Sequence, residues 1–201
     1  MTAPVREADA RGARGAVTLG LLAGGAASRL GGCDKAALAS AGRPLAEIAR
    51  ARFADRVDAV LLSANAHAAR WREAGFAVVV DRIAGIGPIA GIDALAAACT
   101  TPWLLTVPVD AHAVPATLPE SLRAAADVDG ATCSDDDGPQ PLLALWRVAA
   151  LRDVLPAAIA GGTHSIQTLQ RRLRMGHARL PGIRVGNLNT PGDLREAGID
   201  A

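Results

Sequence analysis

The sequence predicts an α/β fold in which a mainly parallel sheet lies between two layers of helices. Short β-rich runs alternate along the chain with stretches rich in Ala, Arg and Glu, and this alternation is typical of β-α-β units. The apolar runs are continuous, as expected of strands that are covered on both faces. Apolar residues make up 50% of the chain and aromatic residues 2%, so we expect a core made mostly of small aliphatic side chains.

The predicted elements follow one another in the order that such units require. The predicted strands are residues 16–22, 57–63, 77–80, 103–107, 130–134 and 142–146. The predicted helices between them, several with a proline near the first turn, are residues 44–54, 67–74, 88–99 and 118–126. Beyond residue 146 the pattern predicts helices at 148–159 and 165–173, a short strand at 183–185, and a helix that begins at Pro191 with Thr190 as N-cap and Asp193 as capping-box acid.

No internal repeat and no long linker divides the chain. We therefore expect a single domain over residues 16–201. Residues 1–15 mix Arg with Glu7 and Asp9 and contain no continuous apolar stretch of the kind found in a secretory signal. We expect them to form a disordered N-terminal tail.

The composition excludes several classes of protein. A formal net charge of +1 over 201 residues creates no global field for binding nucleic acid or an anionic membrane. No apolar run reaches the ~18 residues of a membrane span. Three cysteines without CxxC spacing, Cys33, Cys99 and Cys133, favour neither disulfides nor a zinc site, and they predict a reducing, cytoplasmic location.

Two polar groups of residues have ordinary structural interpretations. The acidic run Asp135-Asp136-Asp137-Gly138 is predicted to be a solvated turn between strands rather than a metal site. The histidines have no ligand spacing and are interpreted as surface or loop residues; they are His67, His112, His164 and His177.

A glycine-rich loop follows the first predicted strand, where an open α/β sheet places its ligand crevice. It contains the double glycines Gly24-Gly25 and Gly31-Gly32, together with Arg29, and it ends at Asp34-Lys35. Consecutive glycines allow main-chain N–H groups to approach a polyphosphate. Arg and Lys side chains add positive charge at the same place. The loop therefore predicts a site for a nucleoside triphosphate.

Other interpretations of this loop are weaker. No Gly-Lys-Ser/Thr closes it, so it is not a Walker A loop, and it lacks the GxGxxG spacing of a dinucleotide site. A glycine-rich turn with incidental surface charges would be favoured if the double glycine stood alone. The arginine and the Asp-Lys end favour function.

Residues 22–35 resemble the opening motif of the molybdenum cofactor guanylyltransferase family, the MobA type, which has the pattern L-A-G-G-x-x-x-R-x-G-G-x-D-K. The resemblance extends from about residue 17 to residue 197. Later matches, in the family's order and separation, are Asp81, residues 87–91, residues 107–110, residues 141–146 and residues 187–191.

The resemblance implies a three-layer, Rossmann-like nucleotidyltransferase fold that joins GMP from GTP to molybdenum-molybdopterin and releases pyrophosphate. It divides the chain into a nucleotide-binding part at about 16–110 and an acceptor-binding part at about 111–201. It also implies a monomer that makes transient contacts with other cofactor-assembly proteins or molybdoenzymes.

The resemblance also assigns roles to single residues. Arg29, Lys35 and Asp110 would be catalytic, with Asp110 holding Mg²⁺, and Asn187 and Asn189 would receive the pterin. The remaining nucleotide-binding positions are Leu22, Ala23, Gly24, Gly25, Ser63, Asp81 and Gly87, alongside Lys35 and Asp110.

The residues themselves support part of this assignment. Asp110 and Asp81 each follow a predicted strand, so their carboxylates are expected at the edge of the sheet near the glycine loop. A carboxylate there suits Mg²⁺, which takes one or two carboxylates plus substrate phosphates. A turn or helix-cap aspartate is the alternative for each. Gly87 and Gly91 flank a helix start that could hold an anion, or Gly91 could simply allow close packing.

Several positions depart from the family pattern, and they widen the range of possible acceptors. Ser63 stands where an asparagine is usual near the base. Ala111-His112 replaces Thr-Pro after Asp110. Gln140 replaces a common His, and His164 a usual Arg near the proposed pterin side.

Three other functions remain open. A molybdenum cofactor cytidylyltransferase tends to have Ala-Ala-Gly rather than Ala23-Gly24-Gly25, which favours GTP here. A sugar-phosphate nucleotidyltransferase usually needs a longer chain. A non-catalytic nucleotide-binding module in cofactor delivery would bind GTP without releasing pyrophosphate.

Overall fold

The computed structural model describes residues 15–23, 35–186, 188, 191–196 and 198–200. Its strands are β1 Val17–Leu22, β2 Ala39–Ser40, β3 Arg43–Pro44, β4 Ala59–Ser63, β5 Ala77–Val79, β6 Trp103–Pro108, β7 Gly130–Asp135, β8 Gly138–Arg147, β9 Met175–Arg179 and β10 Ile199–Asp200. Its α-helices are α1 Leu45–Phe53, α2 Ala68–Glu73, α3 Pro88–Ala98, α4 Leu118–Ala125, α5 Val148–Ala160, α6 Ile166–Gln170 and α7 Pro191–Glu196. Two 3₁₀ turns lie at Lys35–Ala37 and Ala54–Arg56.

A seven-stranded sheet has the order β5-β4-β1-β6-β8-β7-β9. The pairs β5–β4, β4–β1, β1–β6 and β7–β9 are parallel, and β8 runs antiparallel to both of its neighbours. The prediction of a mainly parallel sheet is therefore confirmed. Because β5, β4, β1 and β6 run in one direction, their carboxyl ends share one edge of the sheet.

Helices cover both faces of this sheet, as expected from the continuous apolar runs. One core cluster combines side chains of the sheet with those of α1 and α4, and a second combines the other face with α3, α5 and α6. Adjacent residues of β6 illustrate the division, because Leu104 belongs to the second cluster and Leu105 to the first. The three-layer prediction is confirmed.

Most predicted elements are present, with bounds that differ by a few residues. The predicted strand at 183–185 is wrong. The main-chain groups there bond to the β7–β8 turn instead of a neighbouring strand, since Val185 N donates to Asp135 Oδ2 and Asp136 N donates to the Ile183 carbonyl.

Strand β9 was not predicted, because its sequence Met-Gly-His-Ala-Arg has no β-branched residue. It forms by pairing with β7. A Cβ on Gly176 would lie 1.8 Å from the Ala125 carbonyl oxygen at the end of α4. Gly176 therefore allows the helix and the strand to approach closely.

A second, three-stranded antiparallel sheet has the order β10-β2-β3. It ties the last described residues to the hairpin that follows the Lys35 turn. A small cluster of buried leucines lies alongside it, namely Leu38, Leu45, Leu188 and Leu194. We call residues 182–200, where described, the C-terminal segment. Helix α7 begins at Pro191 as predicted, and Thr190 lies outside the described residues.

Among the described helices, none combines the length and the apolar character needed to cross a bilayer. The longest, α5, has 13 residues. Of residues 1–15, for which a disordered tail was expected, the structure describes only Gly15.

Candidate active site

Strand β1 lies between β4 and β6 and ends at the edge of the sheet where these parallel strands and β5 also end. The amide of Ala23 donates to the Ser63 carbonyl of β4 (3.0 Å), and the amide of Val109 donates to the Leu22 carbonyl (3.1 Å). Leu22 is buried and Ala23 is half-buried. The chain thus enters the glycine-rich loop from the middle of the sheet, with the ends of β4 and β6 on either side.

Lys35 and Asp110 form an ion pair at this edge. The Lys35 Nζ donates to Asp110 Oδ2 at 2.6 Å, and the side chains are 16% and 15% exposed. Asp110 lies two positions after the end of β6, whereas Lys35 opens the 3₁₀ turn beyond the glycine-rich loop. The structure therefore brings together two predicted catalytic residues that are 75 positions apart in the chain.

Several predicted site residues lie outside the described part of the chain. They are Gly24, Gly25 and Arg29 of the loop, and Asn187 and Asn189 near the C-terminus.

Asp81 is paired with Asn65, a residue that the sequence analysis missed. The Asn65 Nδ2 donates to Asp81 Oδ2 (2.7 Å), and the Asp81 amide donates to Asn65 Oδ1 (2.9 Å). The other carboxylate oxygen, Asp81 Oδ1, is buried and has no hydrogen-bond partner among the described residues. A buried acceptor atom lowers the stability of the folded state unless a hydrogen-bond donor reaches it. Asn65 could have been found, since it lies two positions beyond the end of β4 at the same edge.

Ser63, the last residue of β4, lies against Gly91 of α3. Ser63 is 1% exposed, and a Cβ on Gly91 would lie 2.8 Å from its Oγ. Gly91 therefore permits close packing of α3 on β4, and Ser63 lies under that helix. Position 63 thus holds a buried serine, and the exposed asparagine near the end of β4 is Asn65.

Gly87 precedes α3 with φ 68° and ψ −152°, and Pro88 is the first helical residue. Residues other than glycine rarely adopt this backbone conformation. Since a Cβ on Gly87 would meet no atom within 4 Å, the glycine is required by the backbone rather than by crowding.

The predicted acidic turn does join two strands, β7 and β8. Asp135, however, is 3% exposed. Its Oδ1 accepts from the amides of Asp137 (2.9 Å) and Gly138 (3.0 Å), and its Oδ2 accepts from Gln140 Nε2 (2.9 Å) and the Val185 amide (2.6 Å). Burial alone would raise the pKa of Asp135, but these hydrogen bonds outweigh it and hold the pKa of this carboxyl below its ordinary value.

The rest of the acidic turn also holds the C-terminal segment. Asp136 Oδ2 accepts from the Gly182 amide (3.1 Å), and Asp137 lies 3.5 Å from Arg184 Nη1. The acidic run is therefore an anchor for residues 182–185, a role that no local pattern indicated.

The C-terminal segment then passes beside the Asp110 loop. The Leu188 amide donates to the Asp110 carbonyl (3.2 Å), and the His112 amide donates to the Gly186 carbonyl (3.1 Å). His112 lies in the loop after β6, in agreement with the surface-or-loop interpretation, and its half-buried side chain packs against Gly186. His177 is exposed but lies in β9, where its ring contacts Thr132 and Ser134.

No described cysteine is suited to act as a nucleophile. Burial, and secondarily the charge of Asp135, raises the pKa of Cys133 to about 12, so it remains a thiol. Cys99 is also buried. Cys33 lies outside the described residues.

Asp110 suits Mg²⁺ rather than a soft metal, because a carboxylate is a hard oxygen ligand. Across the described part of the chain, no group of three or more His, Cys, Asp or Glu side chains could hold a metal ion. A cation bound here would therefore need ligands from a phosphate-bearing substrate and water.

Comparison with known proteins gives the family. The model of the MobA-like NTP transferase domain matches residues 20–177. The chain is 33% identical over 193 residues to a molybdenum cofactor guanylyltransferase of Cupriavidus necator, covering 91% of this chain and 96% of that one.

Two solved structures share the fold. Molybdopterin-guanine dinucleotide biosynthesis protein A from Archaeoglobus fulgidus aligns with a TM-score of 0.66 at 22% identity, covering 90% of this chain and 96% of that one. The 2-C-methyl-D-erythritol 4-phosphate cytidylyltransferase of Thermus thermophilus aligns with a TM-score of 0.64 at 19% identity, covering 89% and 96%. The chain belongs to the MobA-like NTP transferase family, and the protein is a nucleotidyltransferase.

Proposed function

We propose that this nucleotidyltransferase transfers GMP from GTP to molybdenum-molybdopterin. A terminal phosphate oxygen of the acceptor attacks the α-phosphorus of GTP, the bond between the α- and β-phosphates breaks, and pyrophosphate leaves with the bonding electron pair. The products are the guanine dinucleotide form of the cofactor and pyrophosphate. The relatives named for this activity support the choice of donor and acceptor.

The observation that carries the proposal is the Lys35–Asp110 pair at the exit of the glycine-rich loop. Phosphoryl transfer needs little covalent chemistry from the protein, so catalysis consists of positioning and of charge stabilisation. A lysine and an aspartate at one point provide a cation for phosphate oxygens and an oxygen ligand for a metal ion. Each partner holds the other in place until substrates bind.

Asp110 would hold Mg²⁺. When bound, the ion would neutralise charge on phosphate oxygens of the reactants. Because Asp110 Oδ2 already accepts from Lys35 Nζ, binding of the cation would weaken this ion pair and favour a contact between Lys35 Nζ and the triphosphate. Arg29 would add a second cation from the glycine-rich loop.

The Asn65–Asp81 pair would contact the nucleoside. The free lone pairs of Asp81 Oδ1 suit the N–H groups of guanine, which lie side by side on one edge of the base. Asn65 orients the carboxylate by donating from Nδ2 to Asp81 Oδ2, and its Oδ1 fixes the backbone there by accepting from the Asp81 amide. A cytosine base offers fewer donors, so this pair favours GTP over CTP.

The test is an assay of the purified protein with Mg²⁺, molybdenum-molybdopterin and either GTP or CTP. We expect pyrophosphate release and a GMP-linked pterin by mass spectrometry with GTP, and at least tenfold less product with CTP, on the scale of one lost buried hydrogen-bond partner. An Asp153→Asn variant, changed on the exposed side of α5, serves as the control.

Other outcomes would favour the alternatives. Faster transfer from CTP would identify a cytidylyltransferase. Binding of GTP and Mg²⁺ by calorimetry without pyrophosphate release would identify a nucleotide-binding module in cofactor delivery. Failure to bind either nucleotide would contradict the proposal.

A further inference from the structure

Helix α3 contains a buried carboxylate that its packing does not require. Its sequence, Pro-Ile-Ala-Gly-Ile-Asp-Ala-Leu-Ala-Ala-Ala, is apolar apart from Asp93, and Asp93 is 4% exposed. A buried carboxylate lowers stability unless it is paired, and a well-packed apolar side chain in its place is often as stable or more so. The charge at position 93 therefore indicates a role other than packing.

Arg82 is the partner of this carboxylate. The Arg82 Nε donates to Asp93 Oδ2 (2.9 Å), and the Arg82 Nη2 donates to Asp93 Oδ1 (2.7 Å). Two parallel hydrogen bonds between a guanidinium and a carboxylate fix the relative orientation of the two groups as well as their distance. A lysine does not reproduce this geometry, because its ammonium group is a point charge. The pair therefore fixes the position of Arg82 on α3.

Residues 80–87 connect β5 to α3, and the core holds little of this connection. Val80 is 48% exposed and Ile83 is 41% exposed, whereas Ile86 is half-buried beside the second core cluster. The connection joins α3 through Gly87, at φ 68°, and a glycine adds conformational freedom to the backbone. A single conformation of the connection therefore depends on specific polar contacts.

Asp81 and Arg82 are consecutive residues that are held by different elements. Asp81 is bonded to Asn65 after β4, whereas Arg82 is bonded to Asp93 of α3. Anchors on two neighbouring residues fix the direction of the backbone between them, and with it the direction of the Asp81 Oδ1 atom. That oxygen is buried and has no hydrogen-bond partner among the described residues. Without the second anchor, Asp81 could turn about its contact with Asn65.

We propose that Arg82 and Asp93 are positioning residues for the nucleobase, and that they act through Asp81. This inference rests on the proposed function, since it assumes that Asp81 Oδ1 accepts from guanine. In this role neither side chain contacts the base. The triphosphate is bound elsewhere, at the glycine-rich loop, so the pair affects affinity for the nucleoside part but neither triphosphate binding nor kcat.

The test is a double-mutant cycle of Asp93→Ala and Asp81→Ala, in which calorimetry with Mg²⁺ gives the Kd for GTP. Asp93→Ala alone should raise this Kd about tenfold, on the scale of one lost hydrogen bond to a charged group. In the Asp81→Ala protein the same change should raise it by less than about twofold, because the oxygen that the pair positions is absent. The kcat of Asp93→Ala at saturating GTP should stay within about twofold of the wild-type value.

Tripolyphosphate separates positioning of the base from a general loss of structure. This anion has no base, so it should inhibit GMP transfer with the same Ki in Asp93→Ala and in the wild type. Arg82→Lys provides a second variant, which changes an exposed side chain and leaves α3 intact. It should raise the Kd for GTP by a smaller factor than Asp93→Ala does.

The matched control is Asp129→Ala. Asp129 is also a buried carboxylate paired with an exposed arginine, Arg174. It precedes β7, at the opposite edge of the sheet, where β6 begins. Loss of this pair should leave the Kd for GTP unchanged.

Hydrogen exchange tests the positioning without substrates. The Asp81 amide, which donates to Asn65 Oδ1, should exchange faster in Asp93→Ala but not in Asp129→Ala. Unchanged exchange, an unchanged Kd for GTP, an equal rise in Kd with and without Asp81, or equally weakened tripolyphosphate inhibition would overturn the inference.

The outcomes for the wild type separate the two proposals. If the wild type transfers no GMP, the proposed function fails, and the role of the pair at the base fails with it. If the wild type transfers GMP but the exchange and the Kd are unchanged in Asp93→Ala, only the inference fails.

Discussion

The two sides of the sheet edge are built in different ways. On the nucleotide side, Asn65, Asp81 and Asp110 lie two positions after the parallel strands β4, β5 and β6, whereas Lys35 follows the glycine-rich loop. On the C-terminal side, the segment beyond residue 182 is held by side chains of the β7–β8 turn, above all Asp135. The direction of the parallel strands positions the groups on the nucleotide side, whereas long-range hydrogen bonds position the C-terminal segment.

This difference indicates how each side should respond to mutation. Changes on the nucleotide side should act mainly on chemistry and GTP affinity, because the strands beneath it are buried in two large core clusters. Changes on the C-terminal side should act first on stability, because a few polar groups hold a segment with little core of its own.

The largest expected effect is on turnover when the Lys35–Asp110 pair is broken. Asp110→Ala or Lys35→Ala should lower kcat by on the order of 10²–10³, the usual loss for one key electrostatic group. Steady-state pyrophosphate release measures it, with Asp153→Asn as the control. Near-normal turnover of a folded Asp110→Ala protein would remove Asp110 from the mechanism.

The next effect is on stability. Asp135→Asn replaces an ionised acceptor of four hydrogen bonds and should lower the free energy of unfolding by about 2 kcal/mol at pH 7. Urea unfolding measures it. Asp136→Asn, which affects one exposed hydrogen bond, should cost less than half as much; equal costs would contradict the anchoring role of Asp135.

The same variant has a predictable pH dependence. The pKa of Asp135 is lowered in the folded state. Its contribution to the free energy of unfolding is therefore fully present above its unfolded-state pKa of about 3.9. It is lost as the pH falls through the folded-state pKa. The wild type and Asp135→Asn should therefore differ less in free energy of unfolding, measured by urea titration, as the pH is lowered from 5 to about 2.

A smaller effect is expected at Gly91 on the nucleotide side. Gly91→Ala places a methyl 2.8 Å from Ser63 Oγ and 3.0 Å from Leu22 Cδ2. Overpacking costs about 1–3 kcal/mol, and the higher helix propensity of Ala offsets about 1 kcal/mol. Urea unfolding should show a net loss of about 1 kcal/mol, partly relieved by Ser63→Ala. No relief in the double variant would contradict the packing role of Gly91.

The smallest expected effect is a gain in stability from the turn of the β2–β3 hairpin, which pairs with β10 of the C-terminal segment. Its turn residues Ala41 and Gly42 both have positive φ, 49° and 74°, as in a type I′ turn, where Asn-Gly is preferred. Ala41→Asn should raise the free energy of unfolding by about 0.5–1 kcal/mol, whereas Ala41→Val should lower it. Both should leave the GTP and acceptor constants unchanged.

The same difference explains which residues of the site could be predicted from the sequence. Strands and the residues that follow them are local features, so the positions of Lys35, Asp81 and Asp110 at one edge were predictable. The family pattern does not lead to Asn65, because it has its asparagine near the base at the position of Ser63. The anchoring role of Asp135 depends on a partner 50 positions away, and no local pattern encodes that partner.

Strand β10 pairs with β2, and the Ser40 hydroxyl donates to the Gly198 carbonyl across 158 positions of the chain. Contacts of such separation form late, because ordering the intervening chain is costly before they compensate for it. During folding, the hairpin beyond Lys35 therefore acquires its third strand only after the main sheet has brought β2 and the C-terminal segment close together.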